Sequence, residues 1–319
     1  MALRQKVTIE IYDKPKGGNL ILSTSDLRID FDVRVIPGFS QAKFVIYNLN
    51  NSNITKLMSG DRYITLKTQL HDHKEYVLAN RFFVNNAIDE LILPNRIVSL
   101  YCFDLLRKEV LQESININVE APTLKRMVTQ TLKESGHSGG IKFESFPKGL
   151  VDQAGDRSVR PLQGSVQQIL RRLGREFNFN LYTEQYGNIV LVYKPDLENV
   201  SKTDLEEKKV YVLNNNAMRS TPKIGMASAL VVSNLDPEIK PSTVLDLSKL
   251  ITISADAPEK DLELAKNYLK DFSQYTRYQA FNVQHKGSNY TNEWVTNITA
   301  FSPSKGTHMP TVAWGQPRS

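Results

Sequence analysis

Apolar and polar residues alternate along the first third of the chain. The clearest case is segment 27–35, in which every second residue from Leu27 to Val35 is apolar. A period of two is typical of a half-buried β-strand. Further candidate strands lie at residues 7–12, 42–47, 63–69, 76–84 and 96–104. Turn residues separate these segments at intervals of roughly ten residues, which favours a sandwich or barrel over a parallel α/β sheet.

The hydrophobic period becomes that of a helix in the middle of the chain. Leu124, Val128 and Leu132 recur at four-residue spacing and predict a helix over residues 122–135. A second helix is predicted over residues 165–177, with an apolar stripe that begins at Val166 and repeats at i+3, i+4 and i+7. Residues 177–183 and 188–193 alternate around a polar turn, which is typical of a hairpin. Two helices and a hairpin make a small α+β unit.

The last third of the chain follows a charged segment, residues 194–209, that marks a boundary or an exposed loop. Candidate strands lie at residues 210–213, 227–233, 243–247, 278–285 and 292–301. Asp256 and Glu259 form a capping-box pattern for a helix over residues 256–272. The predicted fold class is α+β, mainly β. We expect a β-barrel or sandwich domain at residues 1–115, an α+β insert at 116–200, a second β domain at 201–302 and an extended tail at 303–319.

Composition narrows the class of protein further. The chain has 319 residues, of which 40 are basic and 34 acidic, and its net charge of +6 is too small to identify a nucleic-acid-binding protein. The single cysteine, Cys102, excludes an intramolecular disulfide and a cysteine-rich zinc site, and its apolar strand predicts a buried thiol. The N-terminus lacks the apolar core of a signal peptide. No run approaches the roughly 18 apolar residues of a membrane helix, so no membrane span is expected.

The sequence shows no arrangement of residues that supports catalysis or metal binding. His71 and His73 could supply two ligands from one face of a strand, but no further Cys or His partner is evident, and a solvated loop is favoured. The acidic candidates for the carboxylate pair of a polysaccharide hydrolase are Glu113, Glu120, Asp152 and Asp156. Nothing in the sequence sets the separation that this chemistry requires. We predict no catalytic, cofactor-binding or metal-binding residues, no cofactor and no enzymatic activity.

Two other features could bind a partner. Arg171, Arg172 and Arg175 cluster on one helix and could meet phosphates, but no aromatic residues are interleaved with them, so a solvated helix face is favoured. Trp294 lies in an alternating strand and is expected to pack in the core. Trp314 lies in the polar tail, where a docking anchor and packing against its own domain are equally good interpretations.

Three stretches of the chain are informative when their order and spacing are considered together. The first is AKFVIYNLN at residues 42–50, followed by a glycine turn and a strand. The second joins residues 121–136 to residues 164–173 and the turn at 186–188. The third is SNLDPEIKPS at 233–242, with VQHKG at 283–287 and NEWVT at 292–296 downstream. In order and spacing these stretches resemble the baseplate hub proteins of contractile-tailed bacteriophages and, more loosely, the hub component of other contractile injection machines.

The chain departs from that family's pattern at two turns. Ser242 stands where the family often has glycine. Ser288 and Asn289 replace an acidic residue after Gly287. Both are turn positions, so neither departure argues against the resemblance.

The resemblance implies a structural virion protein in the baseplate of a phage tail. Family members form homotrimers, and each subunit supplies two domains with the fold of the tail-tube protein. Six tube-like units can then join the tail tube, or its distal initiator protein, to a central spike and enclose the channel for genome passage. The tape-measure and baseplate wedge proteins are further implied partners, and DNA is implied only in passage through the lumen. His285 is implied to order a turn and not to bind a ligand.

Two alternatives remain open from the sequence. One is a tail-associated hydrolase of cell wall or polysaccharide, which would need the acidic residues named above to form a pair. The other is a receptor-binding β module, which would need surface aromatic residues clustered at one loop edge. The aromatic residues are instead spread along the chain.

Overall fold

The computed structural model describes residues 6–70, 74–109, 113–137, 139–144, 146–154, 158–183, 188–193, 210–220, 222–224, 228–247, 250, 277–291 and 293–301. These residues form two compact units. The first contains the described residues up to 193 together with those in 285–294, and the second contains those in 210–284 and 295–301. The predicted helix at 256–272, the tail and the residues His71, His73, Asp156 and Trp314 lie outside the described residues.

The predicted fold class is confirmed, because strands dominate and helices are few. The predicted domain boundaries near residues 115, 200 and 302 stay predictions. No helix among the described residues is long and apolar enough to cross a membrane.

The first unit contains a large antiparallel sheet. Its strands are β1 (Lys6–Tyr12), β2 (Leu20–Thr24), β3 (Ile29–Ile36), β4 (Phe39–Tyr47), β5 (Tyr63–Gln69), β6 (Glu75–Ile92) and β7 (Asn95–Phe103). They lie in the order β3–β4–β7–β6–β5–β1–β2. The prediction missed β2 and ended β6 at residue 84, whereas the strand continues to Ile92. Pro37 and Gly38 make the turn between β3 and β4, where Gly38 adopts a φ of 98°.

The period of two decides which face of this sheet is buried. Val7, Ile9 and Ile11 of β1 are fully buried, whereas the residues between them are only half-buried. The same alternation buries Ile29, Phe31 and Val33 of β3. Alternate residues of a strand point to opposite faces, so each of these two strands buries one of its faces.

The second half of the first unit is the α+β insert, which has a core of its own. Its elements are β8 (Ser114–Glu120), α3 (Leu124–Glu134), β9 (Ile141–Glu144), β10 (Val159–Ser165), α4 (Val166–Glu176), β11 (Phe179–Thr183) and β12 (Ile189–Tyr193). Two short helices precede it, α1 (Asn51–Met58) and α2 (Leu105–Glu109). The predicted hairpin is confirmed, with Phe179 opposite Tyr193, and β9 joins β12 in parallel. The antiparallel pair of β8 and β10 was not predicted.

Helix α4 begins where its sequence signals place it. The Ser165 side chain accepts from the backbone N–H of Gln168, and the Gln168 side chain accepts from the N–H of Ser165, which is a complete capping box. The predicted apolar stripe is buried in the core of the insert: Val166, Ile169, Leu170 and Leu173. The opposite face of the helix therefore carries its charged residues outward.

The second unit contains a smaller sheet. Its strands are β13 (Val210–Val212), β14 (Lys223–Ile224), β15 (Ser228–Asn234), β16 (Val244–Asp246), β17 (Arg277–Ser288) and β18 (Val295–Phe301). Strands β14, β15, β18 and β17 are neighbours in that order, and β16 pairs with the start of β17. Tyr278, Val231 and Ile298 are among the residues of its core. The prediction ended β17 at residue 285, but the strand runs through Ser288, and its last residues belong to the first unit.

Candidate functional site

The structure describes three of the four acidic residues considered as catalytic candidates: Glu113, Glu120 and Asp152. Glu120 ends β8, and Glu113 lines a cavity of about 430 Å³ together with Glu134. Asp152 is largely exposed and lies 3.8 Å from Lys125. Among the described residues, no group of three or more His, Cys, Asp and Glu side chains is placed to hold a metal ion. Cys102 is buried on β7, and burial raises the pKa of its thiol.

Residues 287–289 and Trp294, from the downstream part of the third sequence stretch, lie against β3. Trp294 is buried, as predicted, and its indole N–H donates to the carbonyl of Ser288 at 2.6 Å. The ring meets Phe31 edge to face, with centroids 5.6 Å apart. A buried indole with its N–H satisfied contributes large apolar area without leaving a polar group unpaired.

Ser288 and Asn289 connect this turn to β3 by hydrogen bonds. The Asn289 side chain accepts from the backbone N–H of Ile29 at 2.8 Å and donates to the carbonyl of Leu27 at 2.7 Å. The Ser288 hydroxyl donates to Asp30 at 2.5 Å. The two residues that depart from the family's acidic position thus continue the hydrogen bonding along β3. His285 is buried in β17, and burial lowers its pKa to about 4.

Gly287 is required at its position because Phe31 occupies the space of a side chain. A Cβ at residue 287 would lie 2.7 Å from Phe31 Cζ and 3.2 Å from the carbonyl oxygen of Glu293. We expect Gly287→Ala to lower the free energy of unfolding by about 1–3 kcal/mol, the usual range for overpacking a core. Urea unfolding followed by circular dichroism measures this loss.

A surface glycine provides the control for this prediction. Gly17 has a φ of 60°, and no atom of the described residues lies within 4 Å of the place that a Cβ would take there. Gly17→Asn therefore adds a side chain in open space, and asparagine tolerates this backbone conformation. We expect the unfolding midpoint of Gly17→Asn to stay close to that of the wild type. Equal midpoints for Gly287→Ala and the wild type would contradict the steric argument.

Ser242, the first departure from the family pattern, ends the loop at residues 234–242. Ser242 has a φ of 76°, in the left-handed region where glycine is favoured. The loop is nevertheless ordered by hydrogen bonds, since the Asp236 N–H donates to the Thr296 hydroxyl at 2.8 Å and the Asp236 carboxylate accepts from Tyr211. In the first stretch, Asn48 has a φ of 59°, which asparagine tolerates.

A buried carboxylate joins the large sheet to the insert within the first unit. Asp104 follows β7 and accepts from the Thr183 hydroxyl at 2.6 Å and from the Arg107 N–H at 3.0 Å. It also accepts from the N–H of Ser40, at the start of β4. Burial raises the pKa of Asp104 to about 6, against the opposing effect of these hydrogen bonds. Nearby, Gly38 N–H donates to the carbonyl of Leu181 at 2.7 Å.

The hairpin of β6 and β7 ends in an exposed apolar tip. Strand β6 pairs with β5 only as far as Phe83, and beyond Val84 it pairs with β7 alone. At the end of the hairpin, Leu91 is 71% exposed, Ile92 56% and Leu93 82%. We call these three residues the hairpin tip. Contiguous exposed apolar side chains mark interaction sites more often than isolated ones do.

Arg96 supports the base of this tip. Its Nε donates to Asp89 at 2.8 Å across the hairpin, and this guanidinium lowers the pKa of the Asp89 carboxyl. The backbone of Arg96 exchanges hydrogen bonds with Asn48, at 2.7 Å and 3.0 Å. The sequence prediction missed the tip, although the apolar run Leu91-Ile92-Leu93-Pro94 covers the end of β6 and the turn to β7, where polar residues are expected.

The arginine cluster lies where the sequence predicts it, on the outward face of α4. Arg172 and Arg175 are exposed, in agreement with a solvated face, but Arg171 is half-buried. Together with Gln168 and Glu176 they line a cavity of about 610 Å³.

Several solved structures are similar in fold to this chain. One similar structure is the E. coli c3393 protein, a component of the type VI secretion system with structural similarity to the T4 bacteriophage tail proteins gp27 and gp5. The similarity covers 92% of this chain and 76% of that protein, with a TM-score of 0.55 and 9% identity. The 43 kDa tail protein of prophage MuSo2 from Shewanella oneidensis is similar over 94% and 98% of the two chains, with a TM-score of 0.54 and 9% identity.

A chain of the Francisella PdpA–VgrG complex is similar over 96% of this chain, with a TM-score of 0.53 and 11% identity, and this chain spans 59% of its length. No protein-family model and no curated protein sequence matches the chain. At identities this low the likeness is one of fold, and at that level the resemblance to hub-like tail proteins is confirmed.

Proposed function

We propose that the chain is a structural baseplate component, a homotrimeric hub that joins a tail tube to a central spike. The observation that carries this proposal is the fold shared over nearly the full length of both chains with a prophage tail protein. The likeness to the type VI secretion component c3393 and to a chain of the PdpA–VgrG complex supports it. Among the described residues, no observation favours a hydrolase or a receptor-binding module instead.

In this proposal the virion tail is the location, and assembly is the activity. Two tube-like β domains per subunit, flanking the α+β insert, give six tube-like units in a trimer that can continue a sixfold tube. The tube or its initiator protein and the spike are the main partners, and tape-measure and wedge proteins are further ones. DNA passes through the enclosed channel without being bound specifically. The hairpin tip is a candidate for a subunit contact because its apolar side chains gain from burial.

Solution mass and electron microscopy test the proposal together. Light scattering coupled to size exclusion is expected to give three times the chain mass of 36.2 kDa. Micrographs are expected to show threefold rings with a central channel, either from the pure protein or after addition of the spike. A monomer under all these conditions, with no ring in particles of the assembled tail, would overturn the hub proposal.

Replacement of the apolar side chains of the hairpin tip is expected to weaken the trimer. Leu91→Ser, Ile92→Ser and Leu93→Ser combined should raise the dissociation constant at least about tenfold, because anchoring apolar residues carry most of the energy of an interface. Analytical ultracentrifugation over a concentration series measures the change.

A variant with three other exposed apolar residues of the first unit replaced serves as the matched control. Leu20, Met58 and Val159 are 52%, 42% and 43% exposed. Their combined replacement by serine should leave the dissociation constant within about twofold, since exposed side chains outside an interface contribute little. Equal dissociation constants for both triple variants would show that the tip has no role in assembly.

A further inference from the structure

Helix α4 presents three guanidinium groups to one cavity. The buried stripe fixes the rotation of the helix, so Arg171, Arg172 and Arg175 face away from the core of the insert. Arg171 and Arg175 are one turn apart and therefore neighbours on the helix surface, and Arg172 lies one turn beyond Gln168. These four residues, which we call the arginine site, line the cavity of about 610 Å³ together with Glu176.

The acidic residue that lines this cavity is already paired with a different arginine. Glu176 receives a bidentate contact from Arg160 of β10, in which Nη1 lies 2.6 Å from Oε1. Arg160 lowers the pKa of Glu176, with a smaller contribution from the charge of Arg172, so the carboxylate is ionised at neutral pH. Within the described part of the chain, no carboxylate lies within ion-pair distance of Arg171, Arg172 or Arg175.

Arg171 provides a second, independent sign that an acceptor is missing. Its Nε is buried and has no hydrogen-bond partner among the described residues. A buried donor without a partner is unfavourable and is normally satisfied by another group or by a ligand. The arginine site therefore has excess positive charge and an unused donor at the same place.

The dimensions and lining of the site favour carboxylates on a protein over a nucleic acid. The helix is about 16 Å long, from 11 residues at 1.5 Å each, so it offers a short row of charges and not an extended groove. None of the described residues that line the cavity is aromatic, whereas single-stranded nucleic acids are bound by stacking of bases on aromatic side chains. The planar fork of a guanidinium matches a carboxylate with two parallel hydrogen bonds.

We propose that the arginine site of helix α4 binds an acidic segment of a partner protein through its Asp or Glu carboxylates. The proposal rests on the charge and packing of the insert and does not depend on trimer formation or on a place in a baseplate. It assigns a role in partner recognition to the outer face of α4.

Fluorescence anisotropy with the full-length chain tests this proposal directly. The probe is fluorescein-labelled octaglutamate, and labelled octaglutamine and a labelled ten-nucleotide oligothymidylate are the comparison probes. We expect octaglutamate to bind, octaglutamine not to bind, and the affinity for octaglutamate to fall as salt is raised. Arg171→Gln, Arg172→Gln and Arg175→Gln combined should weaken octaglutamate binding about tenfold or more.

A variant with the same charge change on helix α3 is the matched control. Lys125, Arg126 and Lys133 are exposed on α3, and their combined replacement by glutamine should leave octaglutamate binding within about twofold. Thermal unfolding of both variants verifies that they are folded. Three results would overturn the proposal: no octaglutamate binding by the wild type, an equal loss in both triple variants, or tighter binding of the oligothymidylate that the α4 replacements abolish.

Discussion

Replacing Trp294 with alanine is expected to lower the free energy of unfolding by about 3–5 kcal/mol, the range measured for removal of large buried aromatic side chains. The indole is only 2% exposed and packs edge to face on Phe31. Its loss would leave a cavity beside β3 and remove the donor that satisfies the carbonyl of Ser288. Urea unfolding followed by far-ultraviolet circular dichroism measures the loss without depending on tryptophan fluorescence.

Two further variants separate packing from hydrogen bonding at this position. Trp294→Phe keeps most of the apolar volume but removes the indole N–H, so its loss should be smaller, about 1–3 kcal/mol. Tyr290 belongs to the same turn but is 73% exposed, and Tyr290→Ala should cost less than about 1 kcal/mol. A loss for Trp294→Ala no larger than that for Tyr290→Ala would show that the turn does not anchor β3.

The local sequence pattern was sufficient to predict most elements of the fold. The alternation in β1, β3 and β7 and the four-residue spacing in α3 and α4 reflect which face of each element is buried. Such a pattern is local, because it depends only on the geometry of one strand or helix. Strand β2 lacks the alternation, as LILST lies at the edge of the sheet, and was missed for that reason.

Long-range contacts could not be derived from these patterns. Asn289 is hydrogen-bonded to Ile29, 260 residues earlier in the chain, and no periodicity in either segment indicates that contact. The same holds for Asp104, whose role depends on Ser40 and Thr183 being brought together by folding. The resemblance to hub proteins added information that periodicity lacks, because it rests on the order of three stretches that are far apart in the sequence.

The candidate binding surfaces were visible in the sequence to different degrees. The arginine cluster could be placed on one helix face, but the pairing of Glu176 with Arg160 requires the position of β10. The hairpin tip could have been found from its apolar run at a turn, which conflicts with the polar composition that turns usually have. Conflict between a local rule and the sequence is often a sign of function.

Two buried groups of the first unit should respond to pH with opposite signs. Burial raises the pKa of Asp104 from 3.8 to about 6, so the folded state binds the proton more tightly, and stability falls as pH rises from about 4 to 6. Burial lowers the pKa of His285 from 6.5 to about 4, so the unfolded state binds the proton more tightly, and stability falls as pH drops from about 6.5 to 4. Each shift of about two units corresponds to about 3 kcal/mol, so the two effects largely offset each other in the wild type.

Single substitutions are therefore expected to reveal a pH dependence that the wild type conceals. Relative to the wild type, His285→Gln should become more stable as pH is lowered from 6.5 to 4, because only the Asp104 effect remains, whereas Asp104→Asn should become less stable over the same range. The expected change is about 3 kcal/mol in each direction, measured as the free energy of unfolding by urea at half-unit pH steps. Other carboxylates, such as Glu10 beside Lys67, contribute equally to all variants and cancel in the comparison. Because the two substitutions predict slopes of opposite sign, a general loss of stability cannot imitate the result, and parallel curves for all three proteins would show that neither group is held in its uncharged form by burial.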